Sequence, residues 1–391
     1  MPSDARDFDI VLLGATGFTG GLVADYLRTH LPSGVRLALA GRTPGKLESV
    51  AARPGGAVEV VTVDVSDPAA VRSLAERTRV LVTTVGPYLV LGDPVVAACA
   101  AAGTDYLDLT GEPEFVDLTY LRHHAQAVNS GARLVHAGGF DSVPHDLGAQ
   151  FTVEHLPVGV PLDVRGYVRV SGTFSGGTVA SALEIMARLR VGRVTQRIRR
   201  EVEPDPPGRS VRVNLGRPGR HHDTGWWVLP MPTIDPLVVA ESARLLARYG
   251  PDFTYGHYLA SEHALAALGT AAGAGALVAI AQLPAARRAV GRLRPPGSGP
   301  SPEQRQRSWF KVRFYGQGGG TSVVTEVAGG DPGYSETATM LGEAAFSLAL
   351  DDLPATAGQV TTASAMGPAL RKRLEAAGIT FTVLHGPVTS A

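Results

Sequence analysis

Phe8-Asp9-Ile10-Val11-Leu12-Leu13 is a short apolar run that ends in Gly14-Ala15-Thr16-Gly17-Phe18-Thr19-Gly20, and the chain then carries Leu22, Val23, Tyr26 and Leu27 at helical spacing. Strand, glycine turn and helix in direct succession narrow the folds open to this chain more than any other feature. Backbone N–H groups at a helix N-terminus bind phosphate, and only glycine lets the backbone come that close. Gly14 is expected to make the tight turn, Gly17 to admit a pyrophosphate, and Gly20 to let the helix pack on the sheet. Glycine spacing alone is weak evidence. The strand before it and the amphipathic helix after it supply the context the motif requires.

Residues 35–40, 58–63 and 80–85 are further buried-strand candidates, with helix-length segments between most of them. That alternation predicts a parallel sheet covered on both faces. Residues 106–109 and 133–137 add two strands around a helical stretch at 120–129, giving the six strands of a doubly wound Rossmann fold. The second strand ends in Ala40-Gly41-Arg42, about twenty residues past the loop, where an NAD site would place an acidic residue on the ribose. An arginine there pairs instead with the 2′-phosphate of NADP, unless it is an ordinary surface residue beside the adenine. Asp64, ending the third strand, is placed next to the adenine, and Gly86 and Pro87 lie on the route to the nicotinamide.

With 391 residues and 44% hydrophobic content the chain is long enough for two cores, which makes it an α/β Rossmann domain followed by a second, mixed α+β domain. The strand–helix alternation stops after Pro144, so the first domain is expected to end near residue 150. In the second part, residues 162–170 read as a strand, 178–190 as a helix, 201–230 as loops or a hairpin, and 308–315 with 322–327 as antiparallel strands around Gly316-Gln317-Gly318-Gly319-Gly320. Residues 334–350 read as a long helix, and 358–384 as a loop, a helix and a final strand. The formal net charge is zero, so there is no long-range attraction for nucleic acid, and a small-molecule partner fits better. A single cysteine, Cys99, excludes an internal disulfide and fits a reducing cytoplasm. No basic region followed by an apolar stretch opens the chain, so no export signal is expected.

Three segments carry a resemblance: Gly86-Pro87-Tyr88 with Gly92-Asp93-Pro94 behind it, Tyr106-Leu107-Asp108-Leu109-Thr110-Gly111-Glu112, and Gly138-Gly139-Phe140-Asp141-Ser142-Val143-Pro144-His145-Asp146. With the glycine loop they resemble the saccharopine dehydrogenase-like oxidoreductases, and among those the bacterial trans-acting enoyl reductases of polyketide and lipid synthesis. The resemblance implies an NADP-binding domain over 1–150, a substrate domain over 151–330 and a segment over 331–391 that returns beside the first. It also implies NADPH-dependent reduction of a carbon–carbon double bond on an acyl or polyketide chain carried by a carrier protein or CoA. Two alternatives remain open: an imine or amino-acid oxidoreductase of the saccharopine type, and a catalytically silent NADP-binding scaffold. The only lysines are Lys46, Lys311 and Lys372, none in these segments, and none has a tyrosine four residues before it. The oligomeric state is open.

Enoyl reduction needs an enolate oxygen stabilised and an α-carbon protonated. Tyr88 is a candidate for either task, or a packing residue over the cofactor ring. Asp108 and Glu112, too acidic at ordinary pKa to donate a proton, are expected to brace loops. Asp141, Ser142, His145 and Asp146 offer a histidine with carboxylates nearby, either a proton relay or simply a helix start. Ser175-Gly176-Gly177-Thr178 is a candidate substrate-binding turn or an ordinary N-cap. His221-His222-Asp223 has metal-ligand residue types in poor geometry, and no metal is expected.

Residues 264–283 contain no charge over a length that would span a bilayer, with Gly269 and Gly273 at close-packing spacing. The stretch reads first as a buried helix pair or the wall of a lipid tunnel holding an acyl chain. Peripheral membrane contact, helped by Arg287, Arg288, Arg292 and Arg294, is the second reading, and a true span the third.

Overall fold

The computed structural model describes residues 6–171, 186–283 and 299–389. In chain order the strands are β1 (Phe8–Leu13), β2 (Leu37–Gly41), β3 (Glu59–Thr62), β4 (Thr78–Thr83), β5 (Asp105–Asp108), β6 (Arg133–Val135), β7 (Leu162–Ser171), β8 (Ser210–Val213), β9 (Gly219–Arg220), β10 (Trp227–Pro230), β11 (Asp252–Ser261), β12 (Trp309–Gly318), β13 (Thr321–Gly329), β14 (Gly358–Val360) and β15 (Thr380–Thr389). They form two sheets in two compact units. The first unit is Met1–Phe140 with Tyr334–Ala377, and the second is Asp141–Gly333 with Gly378–Ala391.

The first unit is a parallel α/β sheet in the order β3-β2-β1-β4-β5-β6-β14. Its strands are apolar runs rather than alternating ones because both faces are covered, and Ile10, Val11 and Leu12 are fully buried. The sheet has seven strands, where six were expected. Gly358-Gln359-Val360, expected as loop, is the added edge strand, and three residues are too few to carry a periodic signal. Gly358 enters it at φ +87°, its N–H bonds to Ala132 O at 2.8 Å, and a Cβ there would meet His124 Cε1 at 2.7 Å. The helix Ser335–Leu350 also belongs to this unit: Tyr26 donates to Glu343 Oε1 at 2.7 Å, and the Tyr26 ring lies where a Cβ on Gly342 would sit.

The second unit is a mixed sheet in the order β15-β13-β12-β7-β11-β10-β9, with β8 also pairing β11. Strict alternation sorts its two faces. Phe310, Val312 and Phe314 are buried on one face, where Gly148 of the helix Val143–Glu154 comes so close that a Cβ would lie 2.4 Å from Phe314. Tyr167, Tyr258 and Tyr315 stand on the other, with Tyr167 and Tyr258 stacked at 5.2 Å. The second unit starts at Asp141 rather than at 151, because the helix Val143–Glu154 packs on this sheet. The terminal strand β15 likewise pairs with β13 instead of joining the first unit.

The helix Ala264–Ala281 departs from its first sequence reading. Only Ala267 and Ala281 are buried, and nothing lies within 4 Å of where a Cβ would stand on Gly269, Gly273 or Gly275. Among the described residues most of its length is uncovered, so it is not the buried helix pair that was the first reading. Composition reported its apolarity correctly but carried no information on what covers it.

Candidate active site

The glycine loop runs from β1 into the helix Phe18–Thr29. Gly14 has φ +95°, in the left-handed region that favours glycine, and a Cβ there would lie 2.8 Å from Thr84 Oγ1 and Val85 Cγ2. Gly20 is the most confined: a Cβ would fall 2.1 Å from Gly14 O and 2.7 Å from Thr84 Oγ1. Gly17 is the N-cap of the helix, exposed, with extended backbone and no side-chain cap. A Cβ on it would only touch Gly14 O at 3.5 Å, so no protein packing demands glycine here. That openness suits a position reserved for a ligand, beside the first N–H groups of a helix, which have no intrahelical acceptor. Ala15 is buried, Thr16 is exposed, Thr19 is half-buried, and Phe18 meets Tyr334 edge-on at 5.0 Å.

Arg42 and Asp64 stand exposed and half-buried at the carboxyl ends of β2 and β3. Asp64 accepts from the Ser66 N–H at 2.9 Å and hydroxyl at 2.8 Å, and these bonds, aided by the nearby Arg42 charge, lower its pKa. These residues fit an NADP dinucleotide: a glycine-lined helix start for the pyrophosphate and a free-standing arginine for the 2′-phosphate. Arg42→Ala is expected to weaken NADPH binding about 10–100-fold, the loss of a charge-assisted contact, while leaving NADH affinity nearly unchanged. Fluorescence titration with both cofactors checks it, and an equal loss for both would remove Arg42 from the site.

At the carboxyl ends of β4, β5 and β6, the loops are tied together by buried polar groups. Gly86 and Pro87 are exposed, while Tyr88 is buried with its hydroxyl donating to Thr83 O at 3.1 Å and accepting from the Leu109 N–H at 3.2 Å. Its proton is thus held by the backbone, and Tyr88 braces two loops. Glu112 accepts from the N–H groups of Tyr88 and Leu89 at 3.1 and 2.9 Å, the bracing role expected of it.

Asp108 is a hub with no exposed surface. One oxygen accepts from the N–H groups of Thr110 at 3.0 Å and Ala137 at 2.9 Å. The other takes the Tyr106 hydroxyl at 2.8 Å and pairs with His136 Nδ1 at 2.7 Å. His136 continues the chain to Thr119 Oγ1 at 3.1 Å, and Thr119 to Gln359 Oε1 at 3.3 Å. Ala137 has φ +57°, a conformation that costs an alanine free energy, and the Asp108 bond holds it there. Sequence reasoning singled out neither Tyr106 nor His136.

A second polar cluster lies in the other unit. His145, in the first turn of the helix Val143–Glu154, places Nε2 3.2 Å from Asp235 Oδ1. His257 on β11 places Nε2 3.7 Å from Asp235 Oδ2, and the two imidazoles meet edge-on at 4.9 Å. Tyr255 OH lies 3.1 Å from His257 Nδ1, and Thr233 donates to Asp235. His145, Asp235 and His257 are all at least nine-tenths buried. Burial pushes His257 down to about 3, and burial, then the neighbouring His257, lowers His145. Burial, then the charge of Asp141, raises Asp235 well above the carboxylate range. Burial thus works against charge on all three groups, raising the carboxyl and lowering both imidazoles.

The sequence reading placed His145 among Asp141, Ser142 and Asp146, but its carboxylate partner is Asp235, ninety residues on. Asp146 is bound to the Ser242 hydroxyl at 2.5 Å. Asp141 opens the second unit, and lost hydration raises its carboxyl to about 6. The same His145, Asp235 and His257 donors lie within 4.8 Å of one another and have the composition of a two-histidine, one-carboxylate metal set. At His221-His222-Asp223, His222 is fully exposed and His221 packs on Tyr167 and Tyr315. Ser175, Gly176, Gly177 and Thr178 lie outside the described residues. Lys46, Lys311 and Lys372 are all exposed, and Lys311 is ion-paired with Glu326 at 3.6 Å.

Residues 10–135 match the family described as saccharopine dehydrogenase NADP binding domain. A Mycobacterium tuberculosis protein named provisionally as a trans-acting enoyl reductase is 38% identical, covering 97% of this chain and 98% of its own. The trans-acting enoyl reductase of Mycobacterium ulcerans is 35% identical, covering 98% of this chain and all of its own. Among solved structures, saccharopine dehydrogenase (L-Glu forming) from Saccharomyces cerevisiae shares the fold, with a TM-score of 0.55 at 13% identity over 97% of this chain and 99% of that one. A cofactor cradle with an arginine beside it and relatives matched end to end lead to one assignment: the chain is an NADP-dependent oxidoreductase of the trans-acting enoyl reductase family, with a saccharopine dehydrogenase-type NADP-binding domain.

Proposed function

We propose that this protein is a cytoplasmic, NADPH-dependent enoyl reductase acting in trans on an α,β-unsaturated polyketide or lipid acyl chain held as a thioester on a carrier protein or CoA. The observation that carries this reading is the end-to-end match to proteins named trans-acting enoyl reductases. The bound cofactor supplies a hydride for the β-carbon. The chain's own residues do the rest. The helix start at Gly17 holds the pyrophosphate, Arg42 the 2′-phosphate, and the Asp108 and Tyr88 networks fix the loops at the ends of β4, β5 and β6. The proton for the α-carbon is assigned to the cluster of His145, Asp235 and His257, in which His145 Nε2 lies 3.2 Å from Asp235 Oδ1. The exposed lysines disfavour a lysine acid of the kind imine chemistry would draw on.

Turnover is tested by following NADPH oxidation with a 2-enoyl thioester on CoA and on a carrier protein, and separately with an amino acid plus a keto acid. Reduction of the enoyl thioester alone is expected. Turnover only in the second assay, or tight NADPH binding with turnover in neither, would replace this reading with the imine reductase or the silent scaffold. His145→Ala and Asp235→Asn are each expected to lower kcat by about 10²–10⁴-fold, the usual contribution of a positioned proton donor, with NADPH affinity unchanged. Variants that melt like the parent yet retain full kcat would take the cluster out of the reaction.

A further inference from the structure

Two helices of the second unit leave apolar surface uncovered, and they adjoin. The helix Ala264–Ala281 carries no charged residue for eighteen residues, and Leu265 and Leu268 are 83% and 67% exposed. The helix Leu189–Val202 exposes Val191, Val194, Ile198 and Val202, which fall at i, i+3, i+7 and i+11 on one stripe. Exposed Arg193 and Arg197 lie along one edge of that stripe, with exposed Glu201 between Arg197 and the apolar residues. Its opposite side is tied to the unit, with buried Arg199, together with Arg200, paired to Glu241 at 3.2 Å each. The Gln282 amide donates to Met186 O at 3.1 Å, so the end of the apolar helix meets the segment that leads into the basic one.

We infer that this face is a docking surface for an anionic lipid bilayer. A helix apolar on every side normally lies in a protein core or in hydrocarbon, and among the described residues no core covers this one. Arg193 and Arg197 are the exposed cations with which anionic headgroups would pair. The helix lies in the interface rather than across the bilayer. It starts from β11 and ends on the segment joined to the helix Leu189–Val202, so both ends are held by one folded unit.

The test uses the full chain, sedimented with vesicles of phosphatidylcholine alone or with phosphatidylglycerol added. Binding to the anionic vesicles is expected, weakened by salt. Leu265→Asp with Leu268→Asp, and separately Arg193→Glu with Arg197→Glu, are each expected to lower the partition coefficient by about tenfold or more. Unchanged melting temperature and NADPH affinity show that the variants are folded. A parent that stays in the supernatant with anionic vesicles, or variants that bind as the parent does, overturns the inference. A parent dimer that the leucine pair dissolves, without vesicle binding, assigns the face to a second copy instead.

Discussion

Gly20→Ala is expected to raise the NADPH dissociation constant by about 10²–10³-fold and to lower the melting temperature of the cofactor-free protein. The added Cβ would stand 2.1 Å from Gly14 O and 2.9 Å from the Gly14 carbonyl carbon, both backbone atoms with no rotamer to give way. Relief has to come from moving the loop or the helix, a displacement that costs about 1–3 kcal/mol as overpacking. The same movement misdirects the N–H groups meant for the pyrophosphate, and each charge-assisted bond lost costs about 1.5–3 kcal/mol. Gly17→Ala separates the two effects. Its Cβ meets only ordinary contact at 3.5 Å, so the free protein should melt almost as before while cofactor affinity falls. Calorimetry with and without NADPH reads both. Were Gly17→Ala to bind NADPH like the parent, the loop would be a structural turn and the pyrophosphate would have to lie elsewhere.

Asp108→Ala is expected to destabilise the protein by about 3–5 kcal/mol, the range for removing one partner from a buried polar network. Four groups lose their acceptor together: the N–H groups of Thr110 and Ala137, the Tyr106 hydroxyl and His136. Ala137 also loses the bond that holds it at φ +57°. Asp108→Asn should recover much of this loss, because its carbonyl oxygen still serves the two N–H groups. Its amide can donate to Tyr106 or His136 once these turn into acceptors. Urea unfolding of both variants gives the comparison. Equal losses would mean that the carboxyl contributes through something other than its bonds.

What was legible in the sequence was local. The cradle is seven consecutive residues running from the end of a strand into the first turn of a helix, and Arg42 directly follows β2, so chain order alone places both. Asp108 and Glu112 were read as braces because a carboxyl of ordinary acidity has little else to do near a nicotinamide. The His145 cluster was only half legible. Its histidine lies in a conspicuous motif, but Asp235 and His257 come from a distant helix and strand and carry no local signal. A buried Asp at the first position of a helix, following Thr233, was the one available hint, and it reads equally well as an ordinary helix start. His136 was missed in the same way: it stood inside the strand candidate 133–137, and nothing local pointed to the carboxyl of Asp108 as its partner.

The path of the chain between the two units has a consequence for synthesis on the ribosome. The first 140 residues supply six strands of the parallel sheet, but its edge strand β14 and the helix that carries Glu343 are not made until almost two hundred residues later. The nascent cofactor domain must therefore wait, one edge unpaired, while the other unit is translated. Such long-range closure slows folding and exposes a sheet edge to mispairing. A fragment ending near residue 150 should accordingly aggregate, and the natural division of this protein into separately expressible parts does not run through its linear order.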